Sequence, residues 1–458
     1  MTSILIVGAG SAGCVLAARL SADPARSVRV FEAGPAFPTM GQLPYELLDP
    51  NSLPVGPESR LVWRYQGNLV RGKLIGGSGA INGSYFVRPP AADFAAWSSV
   101  AGPRWSFEAV LPVFCDLEDD RDFGWAPGHG VGGPIPISRT RDFTAFGAEF
   151  AQRCTAAGFP EIPDLNAPTG SDGFGRVPLT VSNGLRSGPA VTHLYPAMHR
   201  PNLTITGDTT VTRLLLRGNR VIGVEWAGGR TYADQIVVCA GAIESAALLI
   251  RSGIGPEAQL RSLGIEVVQP APVGAWCTDH PEIGVEFPDD QPAEPAVPLE
   301  YVLEIDDLEL RPYTRMFTPG LRRIGVALMH PESSGELTLA SADPRVPARI
   351  DHRYLHSDRD RARLREGAAL TADLLGRRID PIDDAWLHTN LGTSQHLSGT
   401  CRMGAADDER AVVDELGRVH GIEALTVADL SIVPVPLRRG PQATTVMLAT
   451  AIADHMVV

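Results

Sequence analysis

The sequence predicts an α/β fold organised around a parallel sheet, and three observations carry that prediction. Residues 4–13 read ILIVGAGSAG, a short apolar run that breaks into G-x-G-x-x-G. CVLAARLSA follows with helical spacing, and Val28-Arg29-Val30-Phe31 reads as a second strand, ending at Glu32, nineteen residues after Gly13. Far downstream, Gln235 to Cys239 is another apolar run, followed by Ala240-Gly241 and a helical stretch from Ile243 to Arg251. A parallel strand reads as nearly continuous apolar residues because both its faces are covered.

Each element of the first turn has a physical reason. Gly8 permits the tight turn, Gly10 lets a phosphate approach the backbone, and Gly13 lets the helix pack closely on the strand. Ser11 and Ala12 open the helix, whose free N–H groups and positive dipole end attract phosphate. Glu32, followed by Ala33, stands where a ribose diol is bound, and an acid there disfavours a 2′-phosphate. Strand, loop, helix and spaced acid together predict a dinucleotide site, without choosing between NAD and FAD.

A second glycine-rich loop bears on that choice. RGKLIGGSGAING, Arg71 to Gly83, holds five glycines. A ligand longer than NAD, lying extended, needs a second close approach of backbone. Gly76, Gly77 and Ser78 can supply amides, and Asn82, with Gly83 behind it, can hydrogen-bond a phosphate or a flavin edge.

At this point several motifs agree. GKLIGGSGAINGSYFVRP resembles the first signature of the glucose–methanol–choline (GMC) flavin oxidoreductases, and GAIESAALLIRSGIG (Gly241 to Gly255) resembles the second, departing at Ala246. HLSGTCRMG, VVDELGRVHGIEALTVADLSIVP and GPQATTVMLA match the family's C-terminal end. The resemblance implies FAD, held at the pyrophosphate by the first loop and along the pyrophosphate and isoalloxazine by the second. It also implies cofactor contacts at Val211, Ala240, Gly241, Asp429, Leu430, Pro441, Gln442 and Ala443. Family members with covalent FAD carry a histidine at the position of Ile81, so noncovalent FAD is expected here.

The family fold implies a discontinuous FAD domain, residues 1–37, 68–100, 200–284 and 395–458. Residues 101–199 and 285–394 are then a substrate domain, α+β on an antiparallel sheet, with linking segments. Within the third FAD piece, apolar–polar alternation broken by Gly-Asn and Gly-Gly predicts several short strands. Residues 336–375 read as strand, turn, strand and then a helix from about Ser357. The Pro- and acid-rich Glu286 to Tyr301 reads as loop. The chain is short for the family between Glu286 and Gly335, where a cavity wall is normally built.

Oxidising an alcohol needs a base for the hydroxyl proton. His396 matches the family histidine of H-x-x-G-T that borders the flavin. The second catalytic position, His or Asn in the family, falls 44 residues later on Gly440, which has no side chain. Gln442 is the amide expected to substitute. Pro441 suits the first turn of a helix, whose amides would stabilise negative charge at the flavin's pyrimidine edge. Asp279-His280 matches a pair common before the substrate domain and is expected to be structural.

The chain has 458 residues and a net charge of −13, which argues against nucleic acid and anionic membrane as partners. Six scattered cysteines show no metal-ligand spacing, so no metal is expected. No stretch of eighteen apolar residues or secretory leader is present, and the expected location is the cytoplasm, with peripheral contact to the membrane where electrons are passed on. The compact length and RGPQATT resemble the actinobacterial GMC enzymes associated with mycofactocin, a peptide-derived redox cofactor. That resemblance implies reduced mycofactocin as donor and a respiratory acceptor. An oxygen-using oxidase of small alcohols or sugars, a lyase-like flavoprotein and a flavin-binding sensor are the other readings.

Overall fold

The computed structural model describes residues 2–168, 170, 172–289 and 296–457. Five parallel strands form one sheet in the order Leu203–Thr206, Arg26–Phe31, Thr2–Val7, Gln235–Val238, Leu425–Val427. The helix Ser11–Leu20 packs against the sheet and against the last helix, Gln442–Val457. Ile6, Val30 and Val237 are fully buried between layers, which is why these strands carry apolar residues on both faces. The strands' carboxyl ends (Gly8, Glu32, Cys239, Ala428) lie along one edge, where ligands of open parallel sheets bind. Between the third and fourth strands of the chain runs an antiparallel meander, Val211–Arg217, Arg220–Trp226 and Gly229–Tyr232.

A second sheet of seven strands follows the order Leu391–Thr393, Pro281–Pro288, Leu321–Leu328, Leu308–Thr318, Tyr301–Ile305, Gly173–Arg176, Glu161–Ile162. Its pairs are antiparallel except the last, which is parallel. Asp358–Leu374 backs it, and Leu303, Leu310, Val326 and Leu364 form its core. That helix starts where expected: Ser357 accepts hydrogen bonds from the amides of Arg359 and Asp360.

One expectation is corrected. The stretch Glu286 to Tyr301 is not loop throughout: the strand Pro281–Pro288 runs through its first residues and Tyr301 opens another strand, while residues 290–295 lie outside the described residues. Pairing to Leu321–Leu328 along the whole strand overrides the local Pro and acid signal, and both prolines sit at strand ends. Because this strand lies in the antiparallel sheet from Pro281 onward, we propose the domain border at 280. We propose that the segment just after residue 101 goes with the parallel sheet as well. The helix Phe107–Leu117 buries Val110, Phe114 and Leu117 in the parallel-sheet core, beside the stacked Trp97 and Trp105.

Next to that helix lies a buried polar network. The ligand-type atoms of Glu118, Asp120 and His129 lie within 4.8 Å of one another. Arg139 grips Asp120 with 2.9 and 3.0 Å bonds and reaches Asp164 at 2.6 Å, and Arg88 pairs with Glu118. His129 stands 3.1 Å from Glu118 and 2.9 Å from Asp164. Three carboxylates are thus matched by two guanidiniums and an imidazolium. Burial alone would lower the His129 pKa, but its bonds to Asp120, Asp164 and Glu118 outweigh burial and hold it up at about 11. A raised pKa contributes stability that is full below the unfolded value and is lost as pH rises through the folded one. The thermal midpoint of the native protein is therefore expected to exceed that of His129→Phe most below about pH 6.5. The gap should close towards pH 11, and a gap that widens with pH would contradict the network.

Candidate active site

A cavity of about 740 Å³ opens at the carboxyl edge of the parallel sheet and extends to the antiparallel sheet. The two glycine loops meet on its floor. Gly76 N donates to Ala9 O (2.7 Å), and a Cβ on Gly77 would stand 2.7 Å from Gly10 Cα. Gly8 has φ +98°, and a Cβ on Gly13 would fall 2.0 Å from Gly8 O, so both are needed for the turn itself. Gly10 differs, since a Cβ there would meet nothing closer than 3.9 Å. Its empty side faces the cavity.

The helix starting at Ser11 has no side-chain cap and no acid in its first turn, leaving its amides for an anion. Glu32 accepts from Ala9 N (2.8 Å) and Gly34 N (2.9 Å). Burial pushes its pKa up to about 7, against the pull of these backbone bonds. It therefore braces the loop while facing the cavity. Asn82 Oδ1 accepts from Ser84 N, so what it offers the cavity is its NH₂ group. The Asp429 carboxylate is fully used, accepting from Gly241 N (2.8 Å), Ser245 Oγ (2.5 Å) and Ser431 N (2.8 Å). Asp429 and Leu430 can hold a ligand only through backbone.

Of the residues expected to hold a cofactor, Gly8, Gly10, Ser11, Ala12, Glu32, Ala33, Gly77, Ser78, Asn82, Gly83, Val211, Ala240, Gly241, Asp429, Leu430, Pro441 and Gln442 line the cavity. Gly13, Gly76 and Ala443 do not: they pack behind it and shape the loops and the last helix. The cradle at Gly10, the free helix amides and the length of the cavity from Glu32 to His396 suit FAD. Ile81 lines the cavity too, and a hydrocarbon side chain cannot form a bond to the flavin. Acid precipitation of the FAD-loaded protein is expected to leave all the flavin in the supernatant; a yellow pellet would contradict this.

His396 follows Gln395, which takes φ +67°. That backbone conformation is held by the Gln395 side chain, which accepts from Val70 N and Arg71 and donates to Asn68 O. The segment leading into the second glycine loop, Asn68 to Arg71, thereby aims the histidine. Asp279 completes the fixing: its Oδ1 accepts from His396 N (2.7 Å) and His280 N (2.8 Å), its Oδ2 from Tyr354 and Thr393. The two imidazoles meet edge to face, Nδ1 to Nδ1 at 2.8 Å. Burial, then the neighbouring His280, Arg311 and Arg71, drive the His396 pKa well below its ordinary value.

The family's second catalytic position does face His396. A Cβ on Gly440 would lie 3.9 Å from His396 Cε1 and 3.8 Å from Tyr85 Cδ1. The amide expected to substitute there is committed elsewhere. Gln442 Oε1 accepts from Ser11 Oγ (3.2 Å), and its Nε2 lies against Gly79, so it ties the last helix to the glycine loops. The role expected of Gln442 beside His396 is not supported by this arrangement.

The sequence reading missed the opposite wall. The strand Leu308–Thr318 puts Glu309, Arg311 and Tyr313 on one face and Leu308 and Leu310 in the core behind. Arg311 binds Glu309 (2.5 Å), Glu282 (2.9 Å) and Ser394 (2.8 Å). Tyr313 and Arg323 also donate to Glu282, and Tyr85 donates to Glu309. The alternation E-x-R-x-Y was the available signal.

Fold and site together define an FAD-dependent oxidoreductase that acts on CH–OH donors. The chain belongs to the GMC oxidoreductase family: the family's N-terminal model matches residues 2–282 and its C-terminal model residues 331–449. It is similar to an uncharacterised GMC-type oxidoreductase of Rhodococcus erythropolis, 40% identical over 97% of this chain and 96% of that one. It is also similar to the 5-(hydroxymethyl)furfural oxidase of Methylovorus sp., 33% identical over 98% and 97%. Among solved structures, pyridoxine 4-oxidase from Mesorbium loti superposes with a TM-score of 0.91 at 29% identity, covering 99% of each chain. No helix among the described residues is long and apolar enough to cross a membrane.

Proposed function

We propose that the protein oxidises a neutral alcohol, with His396 taking the hydroxyl proton and reduced mycofactocin as the donor. One observation carries the role of His396: its ring lies in the cavity wall beside Gly440, kept neutral by burial and held by Asp279 and His280. A neutral, fixed imidazole is a competent general base. Bound FAD supplies the two-electron acceptor for the hydride of the carbinol carbon. The first turn of the helix after Pro441 borders the same cavity, and its amides would stabilise negative charge there.

The opposite wall argues for an uncharged substrate. Both Glu282 oxygens are taken by Arg311, Tyr313 and Arg323, so the Glu282 carboxylate is already paired and is not held open for a cation. The choice of mycofactocin rests on the resemblance of length and C-terminal motif and on the short stretch between Glu286 and Gly335, which suits a bulky donor. An acceptor other than oxygen, reached from the cytoplasm at the membrane face, belongs to the same reading. The relatives that are oxidases of small hydroxymethyl compounds favour a second reading. Turnover with reduced mycofactocin and with 5-(hydroxymethyl)furfural, each followed by oxygen uptake and by dye reduction, separates them. Dye reduction by mycofactocin alone supports the first; rapid oxygen uptake with the furan alcohol supports the second.

A further inference from the structure

We infer that Phe317 is a specificity-determining residue, receiving the apolar body of the donor at the mouth of the cavity while the carbinol end lies at His396. The inference rests on the reading of the cavity as the site of a neutral alcohol, and it adds what the rest of that alcohol is.

The pairing of two strands brings Phe317 to the cavity. Leu308–Thr318 and Leu321–Leu328 stay in register as far as Tyr313 opposite Arg323, and the next pair is Thr318 opposite Leu321. Thr314 to Phe317 therefore face Arg322 alone, and the surplus backbone arches out of the sheet. The root of this arch is fixed. Buried Arg322 donates to Thr314 O (2.5 Å) and to Asp289 (2.6 Å). Thr314 donates through Oγ1 to Val297 O (2.5 Å) and through N to Pro298 O (3.1 Å). The arch also reaches a distant part of the chain. Arg315 donates to Asn51 O (3.0 Å), just ahead of the segment that puts Leu53, Val55 and Pro57 in the cavity wall.

Phe317 lines the same cavity, yet 48% of its surface is exposed. Its ring meets that of Tyr313 at 84°, with centroids 5.2 Å apart, and the Arg323 guanidinium stands 5.9 Å from it. Those contacts hold the ring in place and leave nearly half of it open. A large aromatic side chain held open in a cavity is surface for a ligand, because covering it removes apolar area from water. The Glu282 carboxylate in this wall is already paired with Arg311, Tyr313 and Arg323, so it does not select a charged group. The two segments joined by Arg315 offer apolar side chains instead, Leu53, Val55 and Pro57 from one and Phe317 from the other. The donor that fits is an alcohol whose carbinol group is followed by a sizeable hydrocarbon part. A small alcohol that ends short of Phe317 forgoes this contact.

The test uses FAD-loaded native protein, Phe317→Ala and Phe317→Leu. Butan-1-ol and 4-phenylbutan-1-ol share a carbinol end and differ by the ring. Binding of each is titrated by the shift of the oxidised flavin band under anaerobic conditions. The native protein is expected to prefer the phenyl compound by at least about tenfold, the lower end for an apolar group in a fitted pocket. Phe317→Ala should lose most of that preference, and Phe317→Leu, which keeps an apolar side chain, should recover part of it. Absence of the preference in the native protein, or its survival undiminished in Phe317→Ala, would overturn the inference. Phe317 is half exposed on an arch fixed at its root, so both variants are expected to keep FAD and their thermal midpoint. Binding is read without turnover. A His396→Ala protein that still reduces its flavin would sink the base and leave this result standing.

Discussion

Replacing Gly10 with valine is expected to give a folded protein without FAD. The fold has room for the side chain, since a Cβ at Gly10 meets nothing within 3.9 Å, and that room is the cavity floor between the two glycine loops. A branched side chain there occupies the space where a pyrophosphate approaches the helix amides. Overfilling a rigid site costs about 1–3 kcal/mol, or about 5–150-fold in affinity. Gly13→Val is the control with the opposite outcome. Its Cβ would fall 2.0 Å from Gly8 O, so the helix cannot dock and the thermal midpoint should drop steeply. Glu32→Ala should be milder, weakening FAD retention by freeing the amides of Ala9 and Gly34 that it binds. Flavin absorbance per protein and a melting curve read all three. Full FAD occupancy in Gly10→Val would remove the first loop from the cofactor site.

The second large effect is at the base. His396→Ala is expected to keep FAD but lose flavin reduction by the donor alcohol by about 10²–10⁴-fold. The loss should fall on kcat and kcat/KM together, as for an interaction made in the transition state. The segment around it should survive, because Asp279 binds the backbone N–H of residue 396 and Gln395 is held by its own side chain. An unchanged rate of reduction would take His396 out of the mechanism.

How much of this was readable from sequence depended on how local the physics is. The glycine loops were legible because each glycine answers to its own turn: Gly8 by its φ, Gly13 by contact with Gly8, Gly10 by empty space. The helix from Ser357 was legible from its cap and spacing. The loop reading of Glu286–Pro288 failed because sheet pairing from Leu321–Leu328 is not a local property. The partners of His396 were hidden for the same reason. His280 lies 116 residues away in sequence, yet the sheet border brings the two Nδ1 atoms to 2.8 Å. Gln442 was near the right place along the chain, but its helix turns the amide to Ser11.

The central claim is that this cavity holds FAD and passes it electrons from an alcohol. The most direct measurement is the anaerobic absorption spectrum of the purified, FAD-loaded protein before and after adding reduced mycofactocin and a panel of simple alcohols. A flavin band that bleaches with a donor from this set is the predicted result, and the donor that bleaches it names the substrate. A protein that shows no flavin band even after incubation with FAD, or a band that no member of the set bleaches, would contradict the account.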